Sequence, residues 1–341
     1  MQNLITKEDK LLDENGNLSQ AGYATSLILK YDRKDIKANS LRIKEWDYYL
    51  IYNKDYAIAL TIDDNSYMGM VSASFINLKE KWEKTVSPMY WFPKGNLNLP
   101  PSSKEGDSIK EGKGYSFKFK VEKDKRILDC RLDNFLNKSP LIIHFELTDE
   151  PKDSMVIATP FNKPKHFYYN QKIVGFKANG YVTVNNETIN FNDDTFALLD
   201  WGRGVWTYKN TWYWGAGCNM VGNDLVSFNF GYGFGDTTKA SENMIFINGA
   251  AIKLDKVTFN IPTNKKGKDD YLSPWTIVSN DGSLQLEFNP IIDRKSNTNA
   301  IIIQSNQHQV FGTLNGTIHT TDKTIELKNY VCFFEKVANR W

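Results

Sequence analysis

Apolar and polar residues alternate with a period of two through much of the chain. Tyr115, Phe117, Phe119 and Val121 fall on one side, with Ser116, Lys118 and Lys120 on the other, which is the pattern of a strand with one face buried. The alternation returns at Phe228, Phe230, Tyr232 and Phe234, and again at Leu284, Leu286 and Phe288. Asn179-Gly180, Asn248-Gly249, Asp281-Gly282 and Asn315-Gly316 separate apolar stretches, and such pairs suit the positive φ angles of tight hairpin turns. Helical periodicity is scarce, and Pro93 to Gly114, rich in Pro, Gly, Ser and Lys, reads as a long loop. The pattern predicts an all-β protein.

The chain also matches itself. Asn179-Gly180-Tyr181-Val182 followed by Thr188-Ile189-Asn190-Phe191 lies without gaps over Asn315-Gly316-Thr317-Ile318 followed by Thr324-Ile325-Glu326-Leu327. Weaker echoes link Ser74-Phe75-Ile76-Asn77 to Ile245-Phe246-Ile247-Asn248, and Trp46-Asp47-Tyr48-Tyr49 to Thr211-Trp212-Tyr213-Trp214. With 341 residues the chain exceeds what one core usually serves. The expectation is an N-terminal extension over 1–39, then two tandem β-barrel or β-sandwich domains over 40–204 and 205–341, arisen by duplication.

Composition narrows the function classes. A content of 41% hydrophobic and 24% charged residues is globular, and a net charge of +2 supplies no overall field for nucleic acid. Cys130, Cys218 and Cys332 lie far apart without the spacing of a zinc site, and no two of the four histidines, His144, His166, His308 and His319, have zincin spacing. For His144 and His166 a structural hydrogen bond is the expectation. Acids and lysines near Met1 replace the apolar run of a signal peptide, and no stretch approaches the ~18 apolar residues of a membrane span. A cytoplasmic protein without metal, cofactor or transmembrane segment is therefore expected.

Candidate chemistry concentrates between the halves, where Asp200-Trp201-Gly202-Arg203-Gly204-Val205-Trp206-Thr207-Tyr208 runs into Thr211-Trp212-Tyr213-Trp214-Gly215. Indoles offer apolar area with one donor, and glycines permit close backbone approach. Two readings stay open here. Asp200 and Arg203 could form a buried ion pair bracing the interdomain turn. Alternatively Asp200 serves as a proton donor or base, oriented by Arg203 or Tyr208, in a pocket walled by Trp201, Trp206, Trp212 and Trp214. Downstream, Tyr232, Asp236, Glu242 and Asn243 are further ligand-binding candidates. The alternating glycines Gly231, Gly233 and Gly235 fit neither a dinucleotide fingerprint nor a P-loop, and no GxSxG elbow is present.

The Asp200 to Trp206 segment, Asn210 to Gly215, Gly231 to Asp236, Ser241-Glu242-Asn243 and Glu335-Lys336-Val337-Ala338-Asn339-Arg340-Trp341 together resemble a bacterial and fungal family catalogued as a domain of unknown function, DUF2804. That family is distantly similar to carotenoid hydratases of the hydroxyneurosporene synthase type and to AttH-like proteins. The resemblance implies a pair of lipocalin-like (calycin-like) β domains and cofactor-free acid chemistry, hydration or cyclisation, on an apolar ligand. It places an Asp at Ala197-Leu198-Leu199-Asp200, whereas the accompanying His has no counterpart. A hydrophobic small molecule is thus the expected partner, in an enzyme acting through Asp200. The alternatives are a non-catalytic carrier and a structural or carbohydrate-binding module with its tryptophans on an open face.

Overall fold

The computed structural model describes residues 2–300 and 303–341. Among the described residues strands dominate, and the helical content consists of two short 3-10 turns, Arg33–Asp35 and Ser40–Arg42. Among the described residues no helix is long and apolar enough to cross a membrane.

Two curled antiparallel sheets follow a similar strand order along their main paths, the first with one more strand on its path and further strands off it. In the first, Ile43–Tyr52, Tyr56–Asp64, Met68–Asn77 and Trp82–Val86 step outward in succession. The opening strand pairs on its other side with the last, Phe196–Val205, which leads to Phe167–Val184, Ser139–Thr148, Arg126–Leu136, Tyr115–Val121 and Ser108–Gly112. The second sheet repeats the scheme: Lys209–Val221 opens it, Asp224–Tyr232, Met244–Ile247 and Ala250–Lys253 step outward, and the opening strand pairs with the last, Thr324–Arg340. From there the order runs to Ile303–His319, Leu284–Ala300, Trp275–Ser279 and Val257–Asn260.

Some expected turns lie elsewhere. Asn248-Gly249 closes a hairpin with φ of 51° and 78°. Asn179-Gly180 and Asn315-Gly316, however, sit inside the long strands Phe167–Val184 and Ile303–His319. A Cβ at Gly180 would stand 2.0 Å from the His144 carbonyl oxygen, and one at Gly316 2.2 Å from that of Gln285. These glycines let the neighbouring strand approach closely. Both occupy the equivalent strand of their sheet. Nor is Pro93 to Gly114 all loop, because its last part, Ser108–Gly112, turns at Lys113-Gly114 to pair with Tyr115–Val121. Residues before 40 are bound into the structure: Gly22–Ala24 pairs with Met155–Pro160, and the Asn3 N–H donates to the Lys239 carbonyl at 2.7 Å.

Each sheet curls around its own apolar interior, with Phe117, Phe145 and Trp201 in the first and Phe228, Trp275 and Phe334 in the second. A third apolar layer joins the sheets back to back, through Leu50, Val174 and Leu198 from one and Ala216, Phe311 and Phe333 from the other. The period of two sorts the strand Phe196–Val205 accordingly: Leu199, Trp201 and Val205 point into the first interior, while Phe196 and Leu198 point toward the second sheet.

Candidate active site

Along that shared face the apolar layer gives way to polar residues. Cross-strand partners form one row over the first sheet, Lys172, Asp200, Tyr48, Thr61 and Ser72. Opposite it the second sheet presents Gly231, Trp214, Glu335, Gln309 and Arg294 in register. Partners in a row project from the same face, so the two rows confront each other across a cavity of about 220 Å³. Trp46, Tyr168, Trp206, Trp212 and Phe234 wall it. Ring centroids lie 4.8 Å apart for Trp206 and Phe234 and 5.3 Å for Trp212 and Phe234, edge to face. Gly202 makes room for this wall, since a Cβ there would stand 1.9 Å from the Trp46 ring.

The polar floor is a charge cluster. Lys172 Nζ lies 2.8 Å from Asp200 Oδ2 and 4.0 Å from the centre of the Trp214 ring. Asn170 Nδ2 donates to Asp200 Oδ1 at 2.6 Å. With side chains only 4% and 11% exposed, this is a buried ion pair. Glu335 accepts from the Trp212 indole at 2.9 Å and from Gln309 Nε2 at 3.2 Å, and Arg294 in turn donates to Gln309 Oε1 at 2.7 Å. Burial lifts the Glu335 carboxyl to about 7 against the indole hydrogen bond and the Lys172 charge, with Asp200 pushing it further up.

Glu242 reaches the cavity from the segment after Phe234, its carboxyl close against Gly231. Among the described residues no hydrogen bond reaches this carboxyl. Burial raises it to about 7; Lys172 pulls it down and Asp200 pushes it up. At the far end Asp63, which accepts from the Met70 N–H at 2.7 Å, is also raised by burial to about 7. Three carboxyls raised toward neutrality, Glu242, Glu335 and Asp63, thus share the cavity with a fixed ion pair beneath an aromatic wall, an arrangement able to give and take protons at an apolar ligand.

The structure brings only some of the expected residues together. Asp200, Trp206, Trp212, Trp214 and Glu242 line the cavity. Arg203 and Trp201 do not, because they alternate with Asp200 along one strand and face the first interior. There Arg203 Nη1 donates to Asp47 Oδ1 at 3.0 Å, and the guanidinium lies 4.4 Å over the Trp201 ring. The Asp200–Arg203 pair is therefore replaced by Asp200–Lys172 and Asp47–Arg203, one on each face. Tyr208 is exposed beyond the strand end. Tyr232 stacks on Tyr213 at 4.6 Å on the side of the second core. Asp236 is exposed and caps the Thr238 N–H at 3.0 Å, while Asn243 holds the Gly231 N–H at 3.0 Å behind Glu242. His144 and His166 make structural contacts, Nδ1 lying 2.7 Å from Asp129 Oδ1 and 2.9 Å from the Pro164 carbonyl oxygen respectively. Trp206, Trp212 and Trp214 line a cavity rather than an open face.

Lys172, Glu335, Tyr48, Gln309 and Asp63 were absent from the expected set. A lysine among Ile173 and Val174 and the glutamate after Phe333-Phe334 were the available signals, each a charge inside an apolar strand.

A family model described as a domain of unknown function, DUF2804, matches residues 2–341. The chain belongs to that family. No curated protein matches this DUF2804 chain in sequence. Among solved structures, a protein assigned as AttH from Nitrosomonas europaea resembles it with a TM-score of 0.54 at 11% identity, over 92% of this chain and 96% of the other. Kievitone hydratase from Nectria haematococca does so with a TM-score of 0.50 at 12% identity, over 98% of each chain. At such identities what the DUF2804 chain shares with them is the lipocalin-like fold.

Proposed function

We propose that the cavity binds an apolar small molecule and protonates it, with Glu242 as the donor, in a cofactor-free hydration or cyclisation. One observation carries this reading: a cavity-facing carboxyl, buried and without a hydrogen-bond partner among the described residues, is held protonated up to about pH 7. Its proton is free to be given. Asp200 and Lys172 form the fixed charge pair of the floor. In a hydration the Glu242 proton bonds to one alkene carbon, a water oxygen bonds to the other, and the proton that water releases returns to the Glu242 carboxylate. In a cyclisation a second double bond attacks instead, and a carbon-bound proton is returned. The indole faces of Trp206, Trp212 and Trp214 stabilise the intervening cation. The name of the fungal hydratase agrees with this chemistry, although its likeness is one of fold. A similar strand order and a closely approached glycine in the equivalent strand of each sheet likewise support reading the two sheets as duplicated domains, 40–204 and 205–341, behind the 1–39 extension.

The test incubates the protein with an organic extract of its host cells, in ¹⁸O-labelled water and separately in D₂O, and follows products by mass spectrometry. The expected result is a compound that gains one ¹⁸O, or an isomer that gains deuterium, with the wild type only, while Glu242→Gln still binds the compound in native mass spectra. Conversion by Glu242→Gln at the wild-type rate would overturn the assignment of the acid. A compound bound by the wild type and always returned unlabelled would make the protein a carrier.

A further inference from the structure

A second row across the first sheet runs through Gly202, Trp46, Asp63 and Met70, and it continues one strand beyond the cavity. Met70 pairs with Met89, and Met68 with Trp91, on the short strand Met89–Trp91. The apolar face at the cavity margin therefore extends outward to the edge of the sheet. There it is open: Met89 is 51% exposed, Trp91 66% and Phe92 59%. Three large apolar side chains thus lie exposed within four residues, Met89 and Trp91 on one face of the strand.

The tip has a defined shape. Phe92 adopts φ 52° and Lys94 φ 50°, a left-handed region that an aromatic seldom takes. Their N–H groups are tied to the Tyr67 carbonyl at 3.0 Å and the Ser66 carbonyl at 3.2 Å. Two cations stand near this edge, Lys94 Nζ 5.5 Å from the Phe92 ring centre, and Lys110 Nζ 4.6 Å from that of Tyr90, which faces the other side of the strand from Met89 and Trp91. Exposed indole and phenyl rings with ammonium groups beside them match the chemistry of a bilayer surface, where rings settle at headgroup depth and ammonium groups meet phosphates.

We infer that the Met89–Phe92 edge docks the protein on an anionic lipid surface, with Trp91 and Phe92 at headgroup level and Lys94 and Lys110 against the phosphates. Insertion is shallow, because among the described residues no strand pairs with the outer side of Met89–Trp91, and unpaired peptide groups do not enter hydrocarbon. Docking sets the Met70 side of the cavity beside the lipid and provides a path for an apolar substrate over Met89 and Met70. That path rests on the function proposed above, whereas the docking itself does not.

Cosedimentation with phosphatidylcholine vesicles, with and without phosphatidylglycerol, tests the inference. The wild type is expected to partition onto the phosphatidylglycerol vesicles. Trp91→Ser/Phe92→Ser should lose on the order of tenfold or more of this binding, Lys94→Gln/Lys110→Gln should lose it in part, and both should keep the wild-type melting temperature. Glu242→Gln should sediment like the wild type, so that failure of the acid chemistry and failure of docking are read from different measurements. Absence of wild-type binding, equal binding by the serine variant, or equal binding to vesicles without phosphatidylglycerol would overturn the inference. So would a dimer in sedimentation equilibrium that the serine variant disrupts, which would assign the edge to a second copy of the chain.

Discussion

Replacing Glu242 by Gln exchanges a buried carboxyl for a neutral group of the same shape. Burial lifts this carboxyl from 4.5 to about 7, so between those pH values the folded protein holds a proton that the unfolded chain has released. The stability this supplies is complete below pH 4.5 and is lost as the pH rises through 7. Above 7 the folded protein carries an ionised carboxylate in an apolar wall beside Asp200. At about 1.4 kcal/mol per pH unit, the loss between pH 5 and pH 8 comes to about 2–3 kcal/mol. Gln loses nothing over this range. For a chain of 341 residues unfolding together, with about 2.1 cal/mol/K per residue, the difference is about 3–4 °C in Tm. Melting both proteins at pH 5 and pH 8 gives a difference of differences in which Glu335 and Asp63 largely cancel. Glu242→Gln should gain on the wild type by that amount at the higher pH. A constant gap, or a variant less stable at pH 8, would mean that Glu242 is ionised and satisfied in the folded state, and its part as a proton donor would fall.

Two further outcomes follow from the same geometry. Lys172→Met strands the Asp200 carboxylate and should cost about 3–5 kcal/mol in urea unfolding, most of it recovered when Asp200→Asn is added; additive single effects in that double-mutant cycle would refute the pair. Gly202→Ala places a methyl group 1.9 Å from the Trp46 ring, so it should cost about 1–3 kcal/mol and alter the near-UV circular dichroism, whereas an unchanged spectrum would show that Trp46 does not lie there.

The strands around Phe117, Phe228 and Leu286 were legible because a strand with one buried face writes its period directly into the sequence. The segment around Asp200 was legible as a place but not as a set of contacts. Residues adjacent in sequence occupy opposite faces of a strand, so Trp201 and Arg203 left the site that Asp200 entered. The partner that Asp200 does have, Lys172, lies directly across the ladder, and only the register between distant strands reveals it. The same holds for Glu335, which meets Trp212 and Gln309. Asn-Gly at 179 and 315 reads as a turn because that pair favours positive φ, yet both strands continue through it, and the glycine serves the neighbouring backbone.

The back-to-back placement of the sheets separates two tasks that a ligand-filled barrel must perform with the same residues. Here each sheet's interior, with the Arg203–Asp47 pair inside the first, can be repacked for stability without touching a side chain that lines the cavity. Conversely, the facing rows belong to different sheets, so a change in the Leu198–Phe333 layer between them would alter how Lys172 and Asp200 stand relative to Glu335 while leaving both interiors intact. Variation at that seam would reshape the cavity without disturbing either core, so on the function proposed above it is where libraries aimed at other small molecules should concentrate.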